Sequence, residues 1–231
     1  MQPAYKDIGQ PSPLTVEDEM FLGFVSKLYS VVSAQLLLTA VIAGVMMALR
    51  STLFSNIESL SGLLLGSIIV MFVSLIMLFC FSRVHPMNVI LLTVFTGATG
   101  FLVGFCCMLY DTETVVTAGI ITMFLFYTLT VYTYRSATYS VMSQCLTLLL
   151  AALVGYIALI FIPLSFDMFY KLYCILGALV FSIYIVVDTY FILTLGRLCP
   201  SSQEDVYTFA AIIYLDIINL FLKILALLGK K

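Results

Sequence analysis

Charged residues are sparse along this chain, and the apolar intervals between them are long. Twenty-two uncharged residues separate Lys27 from Arg50, 24 separate Glu58 from Arg83, and 25 separate His85 from Asp111. A further 21 lie between Glu113 and Arg135, and 31 between Arg135 and Asp167. Lys171 to Arg197 encloses 25 residues with one charge, Asp188, and Asp205 to Lys223 encloses 17 with one charge, Asp216. A helix crossing the hydrocarbon core needs about 20 apolar residues. The spacing predicts an all-α polytopic membrane protein, a bundle of seven segments within residues 21–231. The seventh segment is the weakest: its apolar run reaches Leu228 only if Lys223 snorkels toward the surface.

Composition supports the bilayer as solvent. Hydrophobic residues make up 63% of the 231 and charged residues 10%, against about 45–50% and about 25% in soluble domains. That excludes an ordinary cytosolic enzyme and a disordered chain. The net charge of −2 leaves no basic footprint for nucleic acid. Residues 1–20 carry Pro3, Pro11, Pro13 and the acidic run Glu17–Asp18–Glu19, and are expected to be a disordered cytosolic tail. They lack the basic start and short apolar core of a cleaved signal peptide, so the first span is expected to be retained as a signal anchor.

Lysine and arginine in the loops set the orientation. Lys6, Lys27, Arg83, Arg135 and Arg197 fall on the amino-terminal side, and Arg50 and Lys171 on the other, which places the amino terminus in the cytosol. Lys223, Lys230 and Lys231 complicate the count. A spanning seventh segment makes it five against five, and a re-entrant one eight against two. The charge rule thus favours re-entry. The unbroken pattern from Val206 to Leu228 favours a full helix.

Most other features are structural. Cys80, Cys106, Cys107, Cys145 and Cys174 fall in apolar segments and read as buried small hydrophobes, whereas Cys199 lies in the last loop. None has zinc-site spacing, and the single His85 has no partner pattern. Gly62/Gly66, Gly100/Gly104 and Ala151/Gly155 repeat small residues at four-residue spacing, which permits close helix approach.

Asp188 and Asp216 are different. An acid at the bilayer centre costs about 2.5–3.5 kcal/mol on insertion scales, which marks it as a functional candidate. Asp188 lies nine residues before Arg197, and Asp216 eleven after Asp205. At 1.5 Å per residue these are depths of about 13 and 16 Å from the same loop. A helical hairpin brings both carboxylates to nearly one level. If their faces meet, they share a proton, titrate as a unit and, once deprotonated, hold a hard cation such as calcium. Asn219, three residues after Asp216, is on the same helix face and offers a supporting carbonyl oxygen. The bland alternative is that each Asp only hydrogen-bonds a neighbouring helix. Three chemistries could use the pair: a cation pathway, an intramembrane aspartyl protease, or a retinal receptor built on Lys223, which is set aside because Asp216 lies seven residues before the lysine where microbial rhodopsins place an Asp four before it. The protease likeness is thin, since Val187 precedes Asp188, Tyr214–Leu215 precede Asp216, and no Pro-Ala-Leu follows.

The stretch Ile213-Tyr-Leu-Asp-Ile-Ile-Asn-Leu-Phe221 closely resembles the last-helix signature of the transmembrane Bax inhibitor motif family. The run from Gly177 to Asp188-Thr189 looks like that family's sixth helix. Val25 to Thr39, Pro86-Met-Asn88 and Leu129-Thr-Val-Tyr-Thr133 are similar to its Golgi anti-apoptotic branch, which has host and viral members. The resemblance covers nearly all of residues 21–228. It implies a protein of Golgi or endoplasmic-reticulum membranes that leaks calcium from stores in a pH-dependent way and opposes cell death, with Asp188 and Asp216 as the paired aspartates. It implies no enzyme activity and no cofactor, with calcium as permeating ion. Membrane lipid, calcium, apoptotic regulators and calcium-release channels are the implied partners. The non-channel alternative is an anti-apoptotic interaction protein. Bacterial relatives latch one aspartate with an arginine at the end of the second helix; Arg83 is the candidate here, although alignment through Pro86 puts Ser82 at that position, and a membrane-surface anchor is the alternative role for Arg83.

Overall fold

Helices account for almost all of the computed structural model, which describes residues 16–55, 57–135, 166–198 and 205–229. In chain order these are α1 (Val16–Ala48), α2 (Arg50–Ser55), α3 (Ile57–Cys80), α4 (Met87–Met108), α5 (Thr112–Arg135), α6 (Phe166–Leu198) and α7 (Val206–Leu228). All but the short α2 are long and apolar enough to cross a membrane. They correspond to the first four and last two predicted segments. The fifth, between Arg135 and Asp167, lies outside the described residues, as do Cys145, Cys199 and the Ala151/Gly155 pair.

The first helix starts earlier than the polarity suggests. Val16 to Met20 are helical, and Glu17, Asp18 and Glu19 occupy the first turn, where negative charge complements the helix dipole. Phe21 and Phe24 are buried just behind them. Phe24 meets Phe209 edge-on at 6.3 Å, and its ring fills the place a side chain at Gly196 would take. Residues 16–20, expected in the tail, therefore belong to α1.

Helix α7 is the hub. Thirteen of its 23 residues are buried, and it packs against α6, α1, α5 and α4. Elsewhere α1 packs extensively on α4, and α3 on α4. The outer faces of α3 and α5 stay apolar and exposed, through Leu65, Ile69, Phe72 and Ile76 on one and Ile120, Phe124 and Tyr127 on the other. Apolar area on this scale suits lipid as the neighbour. Cys80 is on that exterior, whereas Cys107 and Cys174 are buried.

The ends of α7 settle its course. Its first turn lies against the α3–α4 turn, where Asp205 meets Arg83. Its other end lies against the α4–α5 turn, where Gly229 abuts the Tyr110 ring. These turns cap opposite ends of α4, so α7 crosses the full bundle and does not re-enter. Lys223, expected to snorkel, is half-buried with its ammonium 4.4 Å from the centre of the Tyr173 ring on α6.

Candidate functional site: a carboxylate pair between the last two helices

Seven residues connect α6 to α7, a connection short enough to favour an antiparallel hairpin. The hairpin sets Asp188 beside Asp216. Their carboxyl groups are adjacent, close enough for one to hydrogen-bond the other when a proton is present. Asp216 is 7% exposed, and its Oδ2 has no hydrogen-bond partner among the described residues. Asp188 is half-buried.

Tyr184, one turn before Asp188 on α6, lies near both carboxylates. The sequence reading did not single it out. Its signal was the four-residue spacing from Asp188, which puts the two side chains on one face. Asn219 is half-buried, and its Nδ2 donates to the Leu215 carbonyl at 2.9 Å, leaving only the carbonyl oxygen for a ligand. Among the described residues, no three His, Cys, Asp or Glu side chains converge to hold a metal. A cation at the pair would complete its shell from water and neutral oxygens.

The structure does not seat Arg83 on the pair. Its Nη2 donates to Asp205 Oδ2 at 2.9 Å and its Nε to Oδ1 at 3.2 Å. Ser82 Oγ donates to the same Oδ1 at 2.8 Å. Asn88 steadies the turn by donating to the Ser82 carbonyl at 3.0 Å. Asp205 is eleven residues before Asp216, about 16 Å along the helix. The expected latch to an intramembrane aspartate is thus a surface clamp instead. A carboxylate at the membrane surface draws the guanidinium without the desolvation cost of following it inward. The Arg83 guanidinium holds the Asp205 carboxyl below its ordinary value of 3.8, opposed by partial burial and reinforced by Ser82.

The opposite face of α7 carries a different polar arrangement. The Tyr214 hydroxyl, fully buried, lies 2.7 Å from Thr39 Oγ1 on α1, and Gln35 Nε2 donates to Thr96 Oγ1 on α4 at 3.0 Å. These bonds pin α1 and α4 to each other and to α7. A cavity of about 610 Å³ opens beside this pin, lined by Thr39, Ala43, Val103, Cys107, Ile218 and Phe221 among others. Ile218 is one turn beyond Tyr214 and two residues past Asp216, so the cavity and the carboxylates fall on opposite faces of α7.

Fold and site define a polytopic α-helical membrane protein with a carboxylate pair between its last two spanning helices. The chain belongs to the Bax inhibitor family: the family model described as "Inhibitor of apoptosis-promoting Bax1" matches residues 22–231. It is similar to the Arabidopsis thaliana "Protein LIFEGUARD 1", 33% identical over 220 residues that cover 92% of this chain and 91% of that protein. It is also similar to the Arabidopsis thaliana "BI1-like protein", 34% identical over 220 residues covering 93% and 83%. The Homo sapiens "Protein lifeguard 3" is 33% identical over 224 residues, 90% of this chain and 68% of that protein.

Proposed function

We propose that this protein is a pH-sensitive calcium leak channel of Golgi or endoplasmic-reticulum membranes that lowers store calcium and thereby inhibits apoptosis. Membership of a family described as inhibiting apoptosis-promoting Bax1 supports the second half of this reading. The observation that carries the first half is the adjacency of Asp188 and Asp216, with Asp216 Oδ2 unpartnered. Two carboxylates in contact titrate as one unit. With a proton between them, they bond each other and close the gap between α6 and α7. Without it, the charges repel, and calcium is the ligand that reconciles them, helped by the Tyr184 hydroxyl, the Asn219 carbonyl and water. Calcium is here the transported ion, bound only in passage. This reading keeps the amino terminus in the cytosol, the side favoured five to two when only the loops before the last span are counted. Membrane lipid, apoptotic regulators and calcium-release channels are the partners this reading implies.

The test is reconstitution. Liposomes carrying the protein should release calcium faster than empty ones, at a rate that changes over about pH 6–8. Asp188→Asn and Asp216→Asn should each remove most of the pH dependence, because an amide does not titrate. Unchanged pH dependence in the double variant moves the sensor elsewhere. Cleavage of a membrane substrate, abolished by both variants, would replace the channel reading with a protease.

A further inference from the structure

The cavity of about 610 Å³ has α4 and α7 at its back and α1 and α5 at its sides. Those two flanking helices each pack on α7 and leave a gap between themselves. Gly44 of α1 and Gly119 of α5 face the space, and a Cβ added at either would meet nothing within 4 Å. Glycine weakens a helix interior. At Gly100 and Gly104 of α4 that weakness is offset by the close approach of α1. At Gly44 and Gly119 no neighbour among the described residues arrives, and the missing side chains only widen the cavity. Its opening is toward the apolar exterior: Ala40 and Gly44 on one side and Val116 and Met123 on the other are exposed. Its floor is buried, as at Ala43 and Ile218.

Water does not suit this space. Its two buried threonines, Thr39 and Thr122, each donate to the carbonyl four residues back, and none of the buried polar atoms lacking a partner among the described residues lines it. An apolar cavity of this kind excludes water. In lipid the hydrophobic effect does not press helices together to close a gap, and packing alone decides what fills it. The dimensions select the filler. The lining runs from Leu36 to Ala48 on α1 and from Thr112 to Met123 on α5, about 18 and 17 Å of helix. Ala48 is the last residue of α1 and Thr112 the first of α5, so the cavity reaches from the surface opposite the amino terminus to about the middle of the membrane. One leaflet of a hydrocarbon core about 30 Å thick is about 15 Å deep. Spread over about 18 Å, the volume gives a mean cross-section of about 34 Å², less than half that of a helix about 10 Å across. The space fits a slim chain one leaflet long, and no helix.

We propose that this cavity binds one acyl chain of a zwitterionic phospholipid from the leaflet opposite the amino terminus. The chain enters between α1 and α5, lies along Gly44 and Gly119, and ends near Thr39 and Ile218. Charges at the mouth favour this lipid over a free fatty acid. Arg50 lies just beyond the end of α1, and Asp111 and Glu113 flank Thr112; all three are exposed. A phosphate and an ammonium group both find opposite charge at that level, whereas a lone carboxylate would face two acids. The bound chain contacts the face of α7 turned away from Asp188 and Asp216, so its binding is read without reference to calcium.

The test uses the full chain in phosphatidylcholine liposomes with a trace of phosphatidylcholine bearing a photoreactive diazirine on one chain. Illumination should label the floor residues Ala43 and Ile218, which bulk lipid does not reach. A diazirine at the chain terminus should mark Leu36 and Ile218, and one beside the ester should mark Met47 and Thr112. Gly44→Leu/Gly119→Leu fills the cavity and should remove the floor labels, leaving those on Ile69 and Phe72 of the α3 exterior as in the parent. Gly44→Ala/Gly119→Ala leaves room and should keep the floor labels. An unlabelled floor in the parent overturns the proposal, as does the reverse order of depths, which would bring the chain from the other leaflet. Floor labels that persist in a folded leucine variant also overturn it. So does displacement of the floor labels by cholesterol together with labelling by a cholesterol diazirine, which would make this a sterol site. If the leucine variant loses its thermal transition, the depth order in the parent and the floor labels of the alanine variant still decide.

Discussion

Arg83 and Asp205 show how a single contact is weighed. The pair is bidentate, but the Arg83 side chain is 55% exposed and that of Asp205 20%. Solvent and salt screen such a bridge to about 0–1 kcal/mol, far below the about 3–5 kcal/mol of breaking a buried pair. Its pH behaviour follows from the lowered carboxyl of Asp205. A depressed acid contributes stability above its unfolded value and loses it only as pH falls through the folded value. The clamp is therefore intact across pH 6–8 and does not sense that range. Arg83→Ala should shift calcium release by a common factor at every pH between 6 and 8, leaving the shape of the curve alone. A flattened curve would show that Arg83 acts on the carboxylate pair after all. The family alignment pointed to the right turn, residues 82 and 83, but to the wrong acid. Asp205 is 122 residues from Arg83 in the chain, and no local pattern announces such a partner.

Among the elements, small residues at four-residue spacing look alike in sequence and differ in use. Beta carbons added at Gly100 and Gly104 would lie 3.0 Å from Ile42 Cδ1 and 2.5 Å from Met46 Sδ, with the α1 backbone just behind. At Gly62 and Gly66 they would meet nothing within 4 Å. The first pair lets α1 and α4 approach; the second lies on the exterior of α3. Gly104→Val should cost about 1–3 kcal/mol through overpacking, read as a fall in thermal midpoint in detergent. Gly66→Ala should be neutral or gain up to about 1 kcal/mol from helix propensity. Equal effects at both sites would mean that α3 packs through Gly66 against something beyond the described helices. The pattern that flagged these pairs records a residue's size, and size alone does not say which helix arrives.

For the whole molecule, the course of α7 decides the topology that loop charges left balanced. It begins beside the α3–α4 turn and ends beside the α4–α5 turn, so its ends lie on opposite faces of the membrane. Protease protection of terminal tags should find a tag after Lys231 on the side opposite Arg83 and Asp205. Both on one side would require a re-entrant last segment. The positive-inside rule counted five against five for this arrangement and was silent because Lys223 takes part in packing on Tyr173 instead of marking a loop.

Span positions, membrane residence and the depths of Asp188 and Asp216 were legible in the sequence by itself. Each follows from transfer free energy and helical rise, which act segment by segment and need no partner. The last-helix motif made the family legible as well. Only the tertiary structure decided which faces meet: Asp188 beside Asp216 and Tyr184, Arg83 on Asp205, and Tyr214 on Thr39. Those depend on helix rotation and on contacts between residues far apart in the chain. In an apolar bundle many rotations bury similar area, and the polar groups that must find partners select among them.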